Sequence, residues 1–197
     1  MPITHEDKAD LQFIEETHEY RLKGRNIPSV SAVLQDVGFV KTAYFTDEAR
    51  DRGKLVHYLT AELDKGHEVE VPKEYEGYCR AWASYREEHP IVWEGIEEPT
   101  FHKLLRYAGT PDRWGYDGHI LTVADIKTGS PLPWHGLQFA AYLQMIAYWE
   151  GVADPKTVNL AGVYLKPNGE YTQKHYRYID LALVWEAALR CWKFKHG

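Results

Sequence analysis

Residues 109–129 read GTPDRWGYDGHILTVADIKTG, and this stretch decides the fold. An apolar run from Ile120 to Ala124 leads into Asp125 and Lys127, and the turn signal Asp117-Gly118 precedes it. Side chains two residues apart on a strand point to the same face, so this carboxylate and this ammonium project together. The pattern predicts a β-hairpin whose second strand carries a charged pair at a position where charge is costly.

An acidic residue two positions before a lysine is a weak signal by itself. The chain has 29 acidic residues, and three such pairs occur: Glu6 with Lys8, Asp154 with Lys156, and Asp125 with Lys127. The first two pairs lie in a polar terminus and in a turn, where charge is ordinary. Only the third interrupts an apolar strand, so it is the candidate for chemistry, with an edge-strand ion pair as the structural alternative.

A second carboxylate, Asp112, is carried by the preceding strand of the hairpin. The hairpin would bring it alongside Asp125, and two carboxylates supply the hard oxygen ligands that suit Mg²⁺ or Mn²⁺. Lys127 adds a positive charge, so the group has the composition of a phosphoryl-transfer site. Gln138 and Tyr142 are four residues apart on the helix that follows, so they share a face that could reach this site. A turn position for Asp112 and core packing for the helix pair are the structural alternatives.

Basic and aromatic side chains flank these segments. The net charge is -6, so a nucleic-acid function needs a local basic track, which Arg52, Lys54 and Arg113 could form. Trp114 could stack an unpaired base, and the same role is open to three more rings: Tyr107, Tyr116 and Trp134. A solvated face for the cations and core packing for the rings are the alternatives.

The remaining periodicity predicts an α/β or α+β fold with a mixed sheet flanked by helices. The predicted helices cover residues 29–38, 46–66, 74–88, about 134–149 and 181 onward. The predicted extended segments cover residues 20–22, 27–30, 92–106, 108–114, 119–128, 158–165 and 171–178, the first two forming an entry hairpin.

Length and composition predict one domain over residues 1–197, with an N-terminal hairpin and helices at about 12–90 and a catalytic core at about 91–197. Hydrophobic residues make up 44% of the chain, enough for a core. Cys79 and Cys191 are too few for a disulfide framework or a four-cysteine iron–sulfur cluster, and they suit a reducing compartment. The polar stretch from Met1 to Asp10 is unlike a signal peptide, and no membrane span is expected, so the cytoplasm is the expected location.

Taken together, the motifs resemble the PD-(D/E)XK nucleases, in the branch that includes the RecB nuclease domain, phage exonucleases and the mitochondrial genome maintenance exonuclease. The resemblance covers about residues 20–195. It is carried by five segments: Ile27–Ser31, Arg52–His57, Glu97–Asp112, Asp125–Gly129, and Gln138 with Tyr142. It implies a PD-(D/E)XK, restriction-endonuclease-like core.

The resemblance also implies roles for individual residues. His57 matches the helix histidine that helps to ligate metal or to hold the scissile phosphate, and Glu97 matches the first-strand acid, with Glu98 as its competitor. The remaining matches are these: Asp112 and Asp125 as metal-binding acids, the carbonyl of Ile126 as a further ligand, Lys127 as the catalytic lysine, and Gln138 with Tyr142 as the pair supporting that lysine and the DNA.

The implied activity is that of a Mg²⁺- or Mn²⁺-dependent DNA exonuclease without an iron–sulfur cluster. Hydrolysis by metal-activated water would leave 5′-phosphate and 3′-hydroxyl ends, and single-stranded ends are the expected substrate. The implied setting is phage-type recombination or DNA processing in a bacterial cytoplasm, with a recombination or single-strand-binding protein as a further partner. A structure-specific endonuclease of the same fold and a non-catalytic nucleic-acid-binding module are the alternatives.

Overall fold

The structure, a computed structural model, describes residues 10–41, 46–152 and 158–197. Its strands are β1 (Leu11–Ile14), β2 (Glu19–Leu22), β3 (Arg25–Ile27), β4 (Val92–Ile96), β5 (Thr100–His102), β6 (Tyr107–Gly109), β7 (Arg113–Asp117), β8 (Ile120–Lys127), β9 (Val158–Leu165) and β10 (Tyr171–His175). Its α-helices are α1 (Val30–Asp36), α2 (Asp47–Asp64), α3 (Glu76–Glu88), α4 (His135–Glu150) and α5 (Tyr178–His196), and a 3₁₀ turn at Lys73–Tyr75 precedes α3. The pairs Glu6–Lys8 and Asp154–Lys156 and nearly all of the polar N-terminal stretch lie outside the described residues.

A five-stranded mixed sheet forms the centre of the molecule, in the order β10-β9-β8-β7-β4. Strands β8 and β9 are parallel, whereas the other neighbours are antiparallel. Parallel neighbours need a crossover, and α4 lies in the connection between β8 and β9. The α/β class with a mixed central sheet flanked by helices, predicted from the sequence, is confirmed.

The two faces of β8 pack against different helices. Leu121 and Val123 join the cluster formed with α1, α4 and α5, while Ala124 and Ile126 join the cluster formed with α2 and α3. Because side chains alternate along a strand, Asp125 shares the α4 face with Val123. The charged pair therefore faces the helix that carries Gln138 and Tyr142.

Helix α2 brings the N-terminal part of the chain to the sheet. Thr46 caps it by accepting a hydrogen bond from the backbone N–H of Ala49, and Asp47 and Glu48 occupy its first turn. Its buried residues include Val56, which packs on the α3 face of the sheet. The helix thus carries residues 52–57 toward the C-terminal end of β8.

Several predicted segments differ from the structure. The segment 92–106 is two strands, because Glu97 adopts a left-handed φ of 50° and ends β4, after which β5 pairs with β6 in a separate ribbon. The segment 108–114 is also broken, since β6 ends at Gly109 and Pro111, which has no backbone N–H, precedes β7. The entry hairpin is a three-stranded sheet, because Leu11–Ile14 pairs with β2. None of the helices in the described ranges is long and apolar enough to span a membrane.

Candidate metal centre and substrate cleft

Three predicted ligands meet beside the central sheet: His57 on α2, Glu97 after β4 and Asp112 before β7. One ligand atom from each lies within 4.8 Å of the other two. The Nδ1 atom of His57 is 3.1 Å from Glu97 Oε1 and 3.3 Å from Asp112 Oδ1. Its Nε2 atom is 3.0 Å from the carbonyl oxygen of Ile126. Residues separated by up to 69 positions are therefore held around one imidazole ring.

Backbone hydrogen bonds fix the two acids of this cluster. Glu97 has a left-handed backbone conformation, and its N–H donates to the carbonyl of Asp112 at 2.9 Å. Asp112 Oδ2 in turn accepts the N–H of Ile126 at 2.6 Å. A non-glycine residue with positive φ is uncommon and recurs at functional sites. Glu97, and not Glu98, occupies the cluster; Glu98 lines a small cavity near Trp114.

Asp125 and Lys127 lie next to the cluster. Lys127 Nζ donates to Asp125 Oδ2, while Asp125 Oδ1 is buried without a hydrogen-bond partner among the described residues. Gln138 donates to the hydroxyl of Tyr142 at 3.1 Å, and its own Oε1 is likewise buried and unpartnered within the described part of the chain. Gly109 lies against the Tyr142 ring, where a Cβ would come within 2.7 Å of Cε1.

Opposite charges determine the ionisation of these groups. Burial opposes protonation of His57, but Asp112 and Glu97 outweigh it and raise the pKa of His57 to about 10. Burial opposes ionisation of Asp112, yet His57 and Lys127 lower the pKa of Asp112 to about 2. Burial and then the charge of Asp112 raise the pKa of Asp125 to about 7. Burial also lowers the pKa of Lys127, but Asp125 and Asp112 more than reverse this, so Lys127 stays protonated.

The residues present fit a divalent cation. Carboxylates and a backbone carbonyl are donors that Mg²⁺ or Mn²⁺ accepts, whereas the His57 ring is protonated and would ligate a cation only after losing its proton. Asp125 Oδ1 is the strongest sign, because a buried carboxylate oxygen without a partner carries an uncompensated desolvation cost that a cation would offset. Asp125 is not one of the three residues whose ligand atoms converge, so it stands as the neighbouring carboxylate of the group.

A cleft of about 670 Å³ opens onto this group. Its walls come from the N-terminal half of α2, the loop after β8 and the start of α4; the residues include Arg50, Arg52, His57, Lys127, Thr128, Leu132, Trp134, His135 and Gln138. Arg52 Nε lies 3.5 Å from Thr128 Oγ1, so this cation is held against the loop after β8. The cleft thus combines cations with an apolar wall formed by Leu132 and Trp134.

The structure corrects the predicted DNA contacts. Arg113 is fully buried and is bound to the buried Asp64, so it cannot contact DNA. Trp114 is partly buried and packs against the core beside α4, because it lies opposite Val123 on the α4 face. Lys54 is exposed on α2 but lies outside the cleft wall. Arg52 is the one of the four that borders the cleft.

The other proposed stacking rings also separate. Tyr107 is fully buried and donates its hydroxyl to Ala141 O, and Tyr116 donates to Glu150. Of the four aromatic candidates, Trp134 alone lines the cleft. Trp134 follows the loop of residues 128–133, which contains two prolines. The path of this loop, and not closeness in sequence to Asp112, brings the ring to the site.

Sequence reasoning missed His135. This buried residue lines the cleft between Lys127 and Gln138, and its Nδ1 accepts the N–H of Leu132 at 3.3 Å and lies 3.1 Å from the Tyr164 hydroxyl. Burial and then Lys127 lower the pKa of His135 to about 3, so the ring is neutral. Its spacing of three residues from Gln138, on the same helical face, is the signal that could have identified it.

No protein-family model matches the chain, and no curated protein matches its sequence. Among solved structures, the alkaline exonuclease LHK-Exo from Laribacter hongkongensis is similar at 16% sequence identity, with a TM-score of 0.40. The similarity covers 85% of this chain and 92% of that chain.

Proposed function

We propose that this chain is a Mg²⁺- or Mn²⁺-dependent deoxyribonuclease of the PD-(D/E)XK type, acting as one nuclease domain on DNA ends and preferring single strands. One observation carries the proposal: the cluster of His57, Glu97 and Asp112 adjoins the buried pair Asp125 and Lys127 at the wall of a cleft. Phosphodiester hydrolysis needs hard-cation ligands and a fixed positive charge close together, and this group supplies both.

Each group has a defined part in this proposal. Glu97, Asp112, Asp125 and the carbonyl of Ile126 would hold the cation, which supplies a Lewis acid that acidifies water and stabilises negative charge on a phosphoryl group. His57 completes this set or contacts the phosphate. Lys127 presents a fixed ammonium to the scissile phosphate, where developing negative charge is stabilised.

The walls of the cleft favour single strands as substrate. Trp134 borders the cleft together with Arg52, so a base could stack on the ring while the backbone lies along the cation. Bases inside a duplex are stacked on both faces by their neighbours, so only an unpaired base or the terminal base pair can offer a face to the ring. We place the activity in phage-type recombination or processing, in a bacterial cytoplasm, with a recombination or single-strand-binding protein as partner.

The proposal is tested by incubating linear single-stranded, linear duplex and circular single-stranded DNA with the protein and Mg²⁺ or Mn²⁺, with EDTA as control. Gel analysis should show loss of the linear substrates, fastest for the single strand, and no loss in EDTA. Cleavage of the circle would instead identify an endonuclease. Intact DNA in every lane, from folded protein that binds Mn²⁺, would leave a nucleic-acid-binding module.

Trp134→Ala should weaken binding of single-stranded DNA more than binding of duplex. Stacking of one base on an aromatic ring contributes about 1–3 kcal/mol, so we expect roughly a 5- to 100-fold rise in the Kd for a labelled oligonucleotide. Fluorescence anisotropy in Ca²⁺ would measure it. Tyr58→Ala, which removes an exposed ring of α2 outside the cleft wall, is the matched control. Equal losses for single strand and duplex would contradict the stacking role.

A further inference from the structure

Arg113 is one of the largest fully buried side chains of the protein. Its Nε donates to Asp64 Oδ2 at 2.5 Å, and Asp64 also accepts the indole N–H of Trp82 and a guanidinium N–H of Arg86 at 2.9 Å. The Arg113 guanidinium lies over the Trp82 ring, 5.4 Å from its centroid. A buried charge with this many partners is fixed in one place, so whatever else it contacts is fixed with it.

The remaining donors of Arg113 reach the candidate metal ligands. Its Nη1 donates to the carbonyl oxygen of Asp112 at 2.6 Å and lies 3.5 Å from Glu97 Oε1. The same carbonyl accepts the N–H of Glu97. Arg113 thus contacts Asp112 through its backbone carbonyl and Glu97 through its carboxylate. Its Nη2 donates at 3.2 Å to the hydroxyl of Thr60, which lies one turn after His57 on α2.

We propose that Arg113 is a positioning residue for cation binding: its guanidinium holds Glu97 and Asp112 at the distance from α2 that brings them to His57. The role rests on the proposed function, because the three ligands matter together only if a cation binds. Partners that orient metal ligands are known to contribute strongly to metal affinity. Arg113 acts through the ligands and does not itself touch the cation or the substrate.

The charge of Arg113 makes this role separable from a simple electrostatic one. A buried positive charge beside a cation site repels the cation, so loss of that charge alone should tighten binding. Loss of positioning should weaken it. Arg113→Gln should therefore weaken cation binding if Arg113 positions the ligands, and tighten it if Arg113 acts only through its charge. Arg113→Lys keeps the charge but loses the guanidinium fork that reaches Asp112 and Thr60 together.

The experiment is calorimetric titration of Mn²⁺ into the full-length protein without DNA, after circular dichroism and thermal melting have shown that each variant is folded. We expect Arg113→Lys and Arg113→Gln to bind Mn²⁺ roughly 10- to 100-fold more weakly than the unmodified protein. Arg86→Ala removes another partner of Asp64 without touching a ligand segment, so its Mn²⁺ affinity should be unchanged.

Thr60→Val provides a second variant if the arginine variants do not fold. It keeps the Arg113–Asp64 ion pair and removes one acceptor of the guanidinium, so we expect a loss in Mn²⁺ affinity of roughly 3- to 10-fold. Unchanged or tighter binding by the folded variants would overturn the positioning role. If the unmodified protein binds Mn²⁺ but cleaves no DNA, the proposed function fails, and the Mn²⁺ affinities of the variants still decide the positioning role. If it does not bind Mn²⁺, both fail.

Discussion

Lys127→Met should slow DNA cleavage by about two to three orders of magnitude while leaving the protein folded and able to bind Mn²⁺. The ammonium is held on Asp125 and lies over the Phe139 ring, 5.4 Å from its centroid, so it is preorganised at the cleft wall. Removing one preorganised charge of this kind costs about 3–4 kcal/mol of transition-state stabilisation, and we expect a fall in the cleavage rate of about 100- to 1000-fold. Methionine preserves the alkyl chain, which limits the packing change.

Metal binding separates this effect from damage to the site. Deleting a cation beside two carboxylates should keep Mn²⁺ affinity the same or raise it, because one repulsive charge is gone. Lys166→Met is the matched control, since this exposed lysine pairs with Glu170 in the turn after β9. Initial rates on a single-stranded substrate would be compared at saturating Mn²⁺. A Lys127→Met protein that retains a tenth of the normal rate would exclude the lysine as a catalytic group.

Local patterns predicted the central elements of the fold because those elements depend on local rules. Period-two alternation put Asp125 and Lys127 on one face of β8, and the structure places them in contact. The predicted helix over 46–66 matches α2 closely, and the four-residue spacing of Gln138 and Tyr142 made them neighbours on α4. In each of these cases the interacting residues are at most a few positions apart.

The parts that sequence reasoning missed depend on contacts between distant residues. Arg113 was predicted to contact DNA because nothing near it in the sequence indicates that it is buried. Its burial depends on the contact with Asp64, which precedes it by 49 positions. The choice between Glu97 and Glu98 depends on a single left-handed backbone conformation, which ends β4 and turns one side chain into the cluster. No periodicity in the chain announces such a conformation at a glutamate. His135 was overlooked because its partner Tyr164 lies on β9, 29 positions later in the chain.

Asp125→Asn should raise the thermal stability of the metal-free protein at alkaline pH and at the same time remove its activity. Apart from the Arg113–Asp64 ion pair, three carboxylates face two cations in the buried site: Glu97, Asp112 and Asp125 against His57 and Lys127. One negative charge is therefore in excess when Asp125 is ionised. The asparagine side chain would have nearly the same shape as the aspartate without that charge, so the buried group would be neutral.

The pH dependence gives the sign of this effect. The pKa of Asp125 rises from an ordinary value of 3.8 to about 7 on folding, so between these values the folded protein holds a proton that the unfolded chain has lost. The stability from this site is fully present below pH 3.8 and is lost as the pH rises through about 7. In EDTA we expect the two proteins to have nearly equal Tm values near about pH 3.5, and the gap between them to grow as the pH rises toward about 7. At about pH 8 the variant should melt several degrees higher, since about 1 kcal/mol corresponds to about 2–4 °C in a chain of this size.

Asp117→Asn is the control for this comparison, because it makes the same replacement at an exposed carboxylate in the turn of the same hairpin, outside the buried site. Cleavage by Asp125→Asn in Mn²⁺ should fall at least about 100-fold, which together with the higher Tm would mean that the carboxylate is retained at a cost in stability. A variant that melts lower than the unmodified protein at the alkaline pH would show the opposite. The Asp125–Lys127 pair would then be a net stabilising ion pair, and the unpartnered Oδ1 would no longer indicate a cation ligand.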